Sequence, residues 1–167
     1  MTPEEIKSSG EKLQKLVDTV EEYKAKIEKI KKDSVDKINA AIDDLEKVIN
    51  SGANSSVQFI ETKTKKATKK IDDALIGLRK KLEKTVKNTT DWFEKQADKV
   101  KESTVKSSLA KLGMEINEVP EALLKMIPVP SISISVPAIP TAEDLIGGKL
   151  EEAANSKEYV KLPRLKL

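Results

Sequence analysis

Apolar residues recur at three- and four-residue steps through the first fifty positions: Ile6, Leu13, Leu16, Val17, Val20, Tyr23, Ile27, Ile30, Ile38, Ile42, Leu45 and Ile49. That spacing puts them on one face of a helix and predicts a helix over about 3–49. Thr2-Pro3-Glu4-Glu5 opens it with a capping hydroxyl, a proline at the first helical position and an acid at the capping-box position. Gly10 is a weak point before which the first turns can fray, and the stripe shifts register near Ser34 and Val35. Residues 50–56 are small and polar, a loop by composition, and Ser55 with Gln58 reads as a second capping box. A second stripe follows: Ile60, Ala67, Ile71, Leu75, Leu78, Leu82, Val86, Thr89, Phe93, Ala97, Val100 and Thr104. It predicts a helix over about 57–112, stopped by Gly113. From Ile71 its steps are 4, 3, 4, 4, 3, 4, 4, 3, 4. An eleven-residue repeat follows a nearly straight or slightly right-handed course.

At 1.5 Å per residue the two helices span roughly 70 and 85 Å, whereas a compact domain of this length has a radius of gyration of about 15 Å. A simple globule is therefore excluded if both helices are unbroken. Charge separates them. Residues 1–50 hold ten Lys and twelve Asp or Glu, a net of −2; residues 63–106 hold fourteen Lys or Arg and seven Asp or Glu, a net of +7. An acidic helix, a short loop and a basic helix fit a mainly α fold, a long antiparallel helical hairpin or coiled coil over 1–112. Surface ion pairs contribute little individually, so charge selects the partner helix more than it stabilises the pair.

Residues 113–167 break the pattern and form an extended, proline-bracketed segment with short helices. Residues 120–127 read as a short helix closed by Pro128. Thr141-Ala142-Glu143-Asp144 starts another, bent or ended at Gly147-Gly148, and residues 149–156 add a further turn or two. In Ser131-Ile132-Ser133-Ile134-Ser135-Val136 the apolar side chains Ile132, Ile134 and Val136 share one face and the serines the other, a strand pattern. Pro128, Pro130, Pro137 and Pro140 bracket it and donate no ladder hydrogen bonds. Residues 159–167 alternate apolar and basic side chains and are the one candidate partner strand within the chain. The stretch then pairs with another polypeptide, packs as a linker along the helices, or closes a local hairpin. Addition to another chain would take affinity from main-chain bonds and specificity from alternate side chains. On that reading Ile132, Ile134, Val136, Val160, Leu162 and Leu165 are partner-binding residues.

Composition narrows the chemistry. The chain of 167 residues has no Cys and no His. Thiol nucleophiles, disulfides, Cys/His zinc sites and histidine acid–base catalysis are all removed. Asp43-Asp44, Asp72-Asp73 and Glu143-Asp144 are sequence neighbours, which do not face each other on a helix. No phosphate-binding glycine loop is present. The expectation is a non-enzyme with no catalytic, cofactor or metal site. No signal peptide or apolar span is seen, so synthesis in the cytoplasm is expected, with a virion as one destination. The lysines of residues 63–81 could meet nucleic acid or anionic lipid, but Asp72 and Asp73 interrupt them and no aromatic interleaves them, which favours a solvated face. Of the adjacent rings Trp92 and Phe93, about 100° apart on a helix, Phe93 continues the stripe. Trp92 lies off it and meets another chain, a membrane surface or the C-terminal segment of its own chain.

Lysine-rich units such as Ala97-Asp98-Lys99-Val100-Lys101 resemble, over about a third of the chain, the amphipathic helices of late-embryogenesis, apolipoprotein and phasin-type proteins. A long helical hairpin with an extended docking tail is similar in organisation to small virion and tail-assembly components of bacteriophages. The first resemblance implies a coat on a lipid or polymer-granule surface. The second implies a structural protein whose partners are copies of itself or other subunits of an assembly.

Overall fold

The computed structural model describes residues 2–51, 57–113, 126–155 and 159–167. Two long helices, α1 (Pro3–Ser51) and α2 (Val57–Leu112), pack against each other as a helical hairpin. A single π-helical turn (Glu143–Gly147) runs into a short helix, α3 (Gly148–Asn155). There is no strand among the described residues. Of the helix expected at 120–127, residues 120–125 lie outside the described residues and Met126 and Ile127 are not helical; the Ser55 capping box and most of the 50–56 loop also lie outside them.

The apolar stripes are the buried faces. Leu13, Val20, Ile27, Ile38, Ile42, Leu45 and Ile49 are buried on α1, and Ile60, Ile71, Leu75, Leu78, Leu82, Phe93 and Ala97 on α2. The eleven-residue repeat appears in both: Ile27 to Ile38 to Ile49, and Ile60 to Ile71 to Leu82 to Phe93. Sequence periodicity missed the buried hydroxyl residues Ser9, Thr64 and Ser108. Each donates to the carbonyl one turn back, at Glu5, Ile60 and Thr104. A hydroxyl satisfied by its own helix can be buried at little cost.

The helix ends follow their local chemistry. Glu5 N–H donates to Thr2 Oγ1 at 3.2 Å, the expected cap. α1 runs through Asn50 and Ser51, two residues further than composition suggests. Ser51 Oγ bonds back to the Val48 carbonyl, and the Asn50 side chain is engaged elsewhere in the chain. Gly113 ends α2 with φ +69°, the left-handed conformation that glycine adopts without a Cβ clash. The π turn opens with a reciprocal box, Asp144 N–H to Thr141 Oγ1 and Thr141 N–H to Asp144 Oδ2. Ala142 N–H donates to Asp72 Oδ1 on α2, which fixes the turn against that helix.

The described residues form two compact units, one drawn from 1–26 and 85–135, the other from 27–84 and 136–167. In the first, Leu13, Val20, Phe93, Ala97, Val105, Leu109 and Ile127 form one apolar cluster. Ser9 Oγ and Thr104 Oγ1 lie 2.6 Å apart, and Glu5 accepts from Ser108 Oγ and Lys111 Nζ. Pairings of Ser9 with Thr104 and Glu5 with Ser108 make the helices antiparallel here. Lys24–Glu21, Lys31–Glu28 and Lys106–Glu102 lie within single helices, whereas Glu5–Lys111 joins α1 to α2.

Lys111, then Ser108, lower the Glu5 carboxyl from 4.5 to about 2 against the opposing effect of burial. A carboxyl with a depressed folded pKa contributes stability that is complete above its unfolded value and is lost as pH falls toward the folded one. The thermal midpoint should therefore decline between about pH 4.5 and pH 2, and less steeply in Glu5→Gln. Equal slopes for the two chains would show that Glu5 does not contribute.

Candidate functional site: a helix-bound extended strap

Over residues 38–50 of α1, in the second unit, each buried apolar residue is followed directly by a polar one: Ile38-Asn39, Ile42-Asp43, Leu45-Glu46, Ile49-Asn50. The polar residues thus form their own stripe at steps of 4, 3 and 4, beside the apolar one. The C-terminal residues 159–167 lie along it. Asn50 makes two bonds to Val160: its Oδ1 accepts the Val160 N–H at 2.8 Å, and its Nδ2 donates to the Val160 carbonyl at 2.9 Å. Asn39 repeats this with Leu165, at 2.7 and 3.1 Å. The two side-chain amides act as peptide groups, each pairing the donor and acceptor of one strap residue.

Glu46 sits between them. Its Oε2 accepts the Leu162 N–H at 2.8 Å and Arg164 Nη1 at 3.1 Å, and its Oε1 accepts the Tyr159 hydroxyl at 3.0 Å. Arg164 also donates to the Leu162 carbonyl and pairs with Asp43 at 2.5 Å. Burial by itself would raise the Glu46 carboxyl. The Leu162 N–H, Arg164 and the Tyr159 hydroxyl outweigh it and hold the group below its ordinary 4.5. The bond to Glu46 raises the Tyr159 hydroxyl in turn. Val160, Leu162 and Leu165 are buried, Leu162 to 1% exposure, while Lys161 and Lys166 face outward.

The register is geometric. Eleven helical residues from Asn39 to Asn50 rise about 16.5 Å. Five residues from Val160 to Leu165 cover that span at about 3.3 Å each, so the strap is almost fully extended. It runs opposite to α1. Pro163 has no N–H and needs no acceptor on the helix.

Asn50→Ala would leave the Val160 main chain without either bond. The expected loss is about 1–2 kcal/mol of strap stability, read as faster amide exchange at Val160 with Leu45 and Ile49 unchanged. Unchanged exchange at Val160 would show that Asn50 does not hold it.

The residues singled out as partner-binding are placed as follows. Val160, Leu162 and Leu165 are buried in this strap. Ile132, Ile134 and Trp92 pack, partly buried, against the apolar cluster of the first unit. Trp92 also stacks on Tyr23, ring centres 5.4 Å apart and tilted by 58°. Val136 is half-buried. The segment 131–136 keeps its expected alternation, serines outward, with its isoleucines on helices of its own chain.

Beside the π turn an open groove of about 890 Å³ is lined by Thr62, Thr64, Lys65, Thr68, Lys69 and Asp72 of α2, among others. The Thr68 hydroxyl there is buried and has no hydrogen-bond partner. Among the described residues no group of three or more acidic side chains could hold a metal, and no helix is long and apolar enough to cross a membrane. Asn39, Asp43, Glu46, Asn50 and Arg164 were not evident as a site in the sequence. Their signal is the polar stripe at 39, 43, 46 and 50, offset by one from the apolar stripe and free of lysine. Comparison with protein-family models, with curated proteins and with solved structures finds no match.

Proposed function

We propose that this chain is a non-enzymatic structural or assembly protein. It acts as a helical strut whose C-terminal tail docks on neighbouring subunits of a large complex, in the manner of a bacteriophage tail, baseplate or neck component. One observation carries the reading: α1 bears a row of side chains that capture the main chain of an extended peptide. Such capture gives affinity through backbone bonds and selectivity through alternate side chains, as strand addition does. The helices supply length and stiffness, and the tail supplies attachment. Light scattering of the purified chain across a concentration series tests this. An oligomer of fixed size supports it; a monomer at every concentration overturns self-assembly.

The exposed lysines of α2, among them Lys63, Lys65, Lys66, Lys69 and Lys70, favour a second reading, a coat on an anionic lipid or polymer-granule surface. The apolar stripes face each other, so this coat would need the hairpin to open or would bind by charge alone. Binding to anionic vesicles that falls with salt would support it.

A further inference from the structure

We infer that the strap and its groove on α1 work between copies: residues 159–167 of one chain seat on the Asn39–Asp43–Glu46–Asn50 row of another. The inference rests on the assembly reading above and names its joint. Among the described residues the hydrogen bonds and ion pairs of the Asn39, Asp43, Glu46 and Asn50 side chains go to the strap. Asn39 and Asn50 read main-chain groups, Glu46 reads the Leu162 N–H and the Arg164 cation, and Val160, Leu162 and Leu165 fill the apolar positions. None of these depends on the strap belonging to the same chain as the groove. The occupant is specified by the groove's chemistry as Val-x-Leu-x-Arg-Leu in extended form, and a second copy carries that sequence.

A charge pair sets the orientation. Arg164 meets both Asp43 and Glu46, whereas a strap lying the other way would carry its cation toward Asn50 and lose Asp43. The remaining strap charges, Lys161 and Lys166, are exposed and add general attraction to the acidic helix. A tethered strap competes at an effective concentration of about millimolar. Exchange is therefore expected where copies are crowded, as in an assembly, and is suppressed in dilute solution. Two reciprocal straps close a symmetric dimer, and one strap per neighbour extends a chain of subunits.

The test uses full-length chains whose own strap is repelled. Glu46→Arg sets a cation against Arg164 of its own strap. Arg164→Glu sets an anion against its own Asp43 and Glu46. Mixed together, the strap of the first chain meets an unaltered groove on the second. Each variant alone should scatter light as a single 18.5 kDa chain, and an equimolar mixture should give twice that mass. A mixture that stays at the single mass, with both variants helical by circular dichroism, overturns the inference. If either variant loses its helical signal, a labelled peptide of residues 159–167 is titrated onto full-length Leu162→Asp. Saturable binding, weakened at least tenfold by Arg164→Ala in the peptide, supports the inference, and no binding overturns it. The assembly reading fails separately. A wild-type oligomer that persists in Arg164→Glu keeps assembly and removes strap exchange. Paired variants with a wild-type chain that is monomeric at every concentration do the reverse.

Discussion

Replacing Glu46 with Ala should free residues 159–167 from α1 while leaving both long helices formed. Glu46 is 7% exposed and accepts three groups of the strap. Alanine removes the acceptor of the Leu162 N–H in a place that water reaches poorly. An unsatisfied buried donor costs about 1–3 kcal/mol, and the loss of a paired charge adds to it. Arg164 keeps Asp43, and the Tyr159 hydroxyl can turn to water because that residue is 70% exposed. The expected total is about 2–4 kcal/mol, read locally as amide exchange at Leu162 and Leu165 faster by about 30-fold or more. Helical circular dichroism should change little. Glu46→Gln, which keeps one oxygen acceptor and loses the charge, should fall between. The same group predicts acid release. Its folded pKa is depressed, so its contribution is full above about pH 4.5 and is lost as pH falls below that. Protection at Leu162 that survives Glu46→Ala would mean that the apolar contacts alone hold the strap.

The second large effect is at Phe93. It is 3% exposed and packs in the cluster with Leu13, Val20, Ala97, Val105, Leu109 and Ile127. Phe93→Ala should cost about 3–5 kcal/mol through lost transfer energy and the cavity left behind. Trp92 is the single tryptophan, so its fluorescence reports this unit. The urea midpoint followed by fluorescence should fall clearly, and Ile132 and Ile134 should lose the surface they pack on. A fluorescence midpoint equal to that of the wild type would show that the cluster refills or that Phe93 contributes little.

The helices were legible because their signal is periodic and apolar. Ile38, Ile42, Leu45 and Ile49 announce a buried face whatever lies opposite, and Thr2 and Gly113 mark ends by local chemistry. The tail was legible only in conformation. Alternation in Ser131–Val136 and Tyr159–Leu167 says extended, but it does not say what the backbone bonds to. A strand normally finds another strand, so pairing with another chain was a natural expectation for 131–136. At 160–165 the partners are side chains of a helix, which no strand pattern reveals. Asn39 and Asn50 look like ordinary solvent-facing residues until the strap is beside them. Glu46 looks like one of many acids, and its burial is a tertiary consequence.

The strap and α1 also behave as the two scales of a vernier. One is ruled at about 3.3 Å per residue and the other at about 5.4 Å per turn. The marks coincide when five strap residues meet three turns, which is where Asn39 and Asn50 stand. Sliding the strap by two residues moves it about 6.6 Å and misses the next turn by more than 1 Å. Neither amide would then face the main-chain pair it grips. The strap therefore has one register on α1, ruled by the spacing of the two amides.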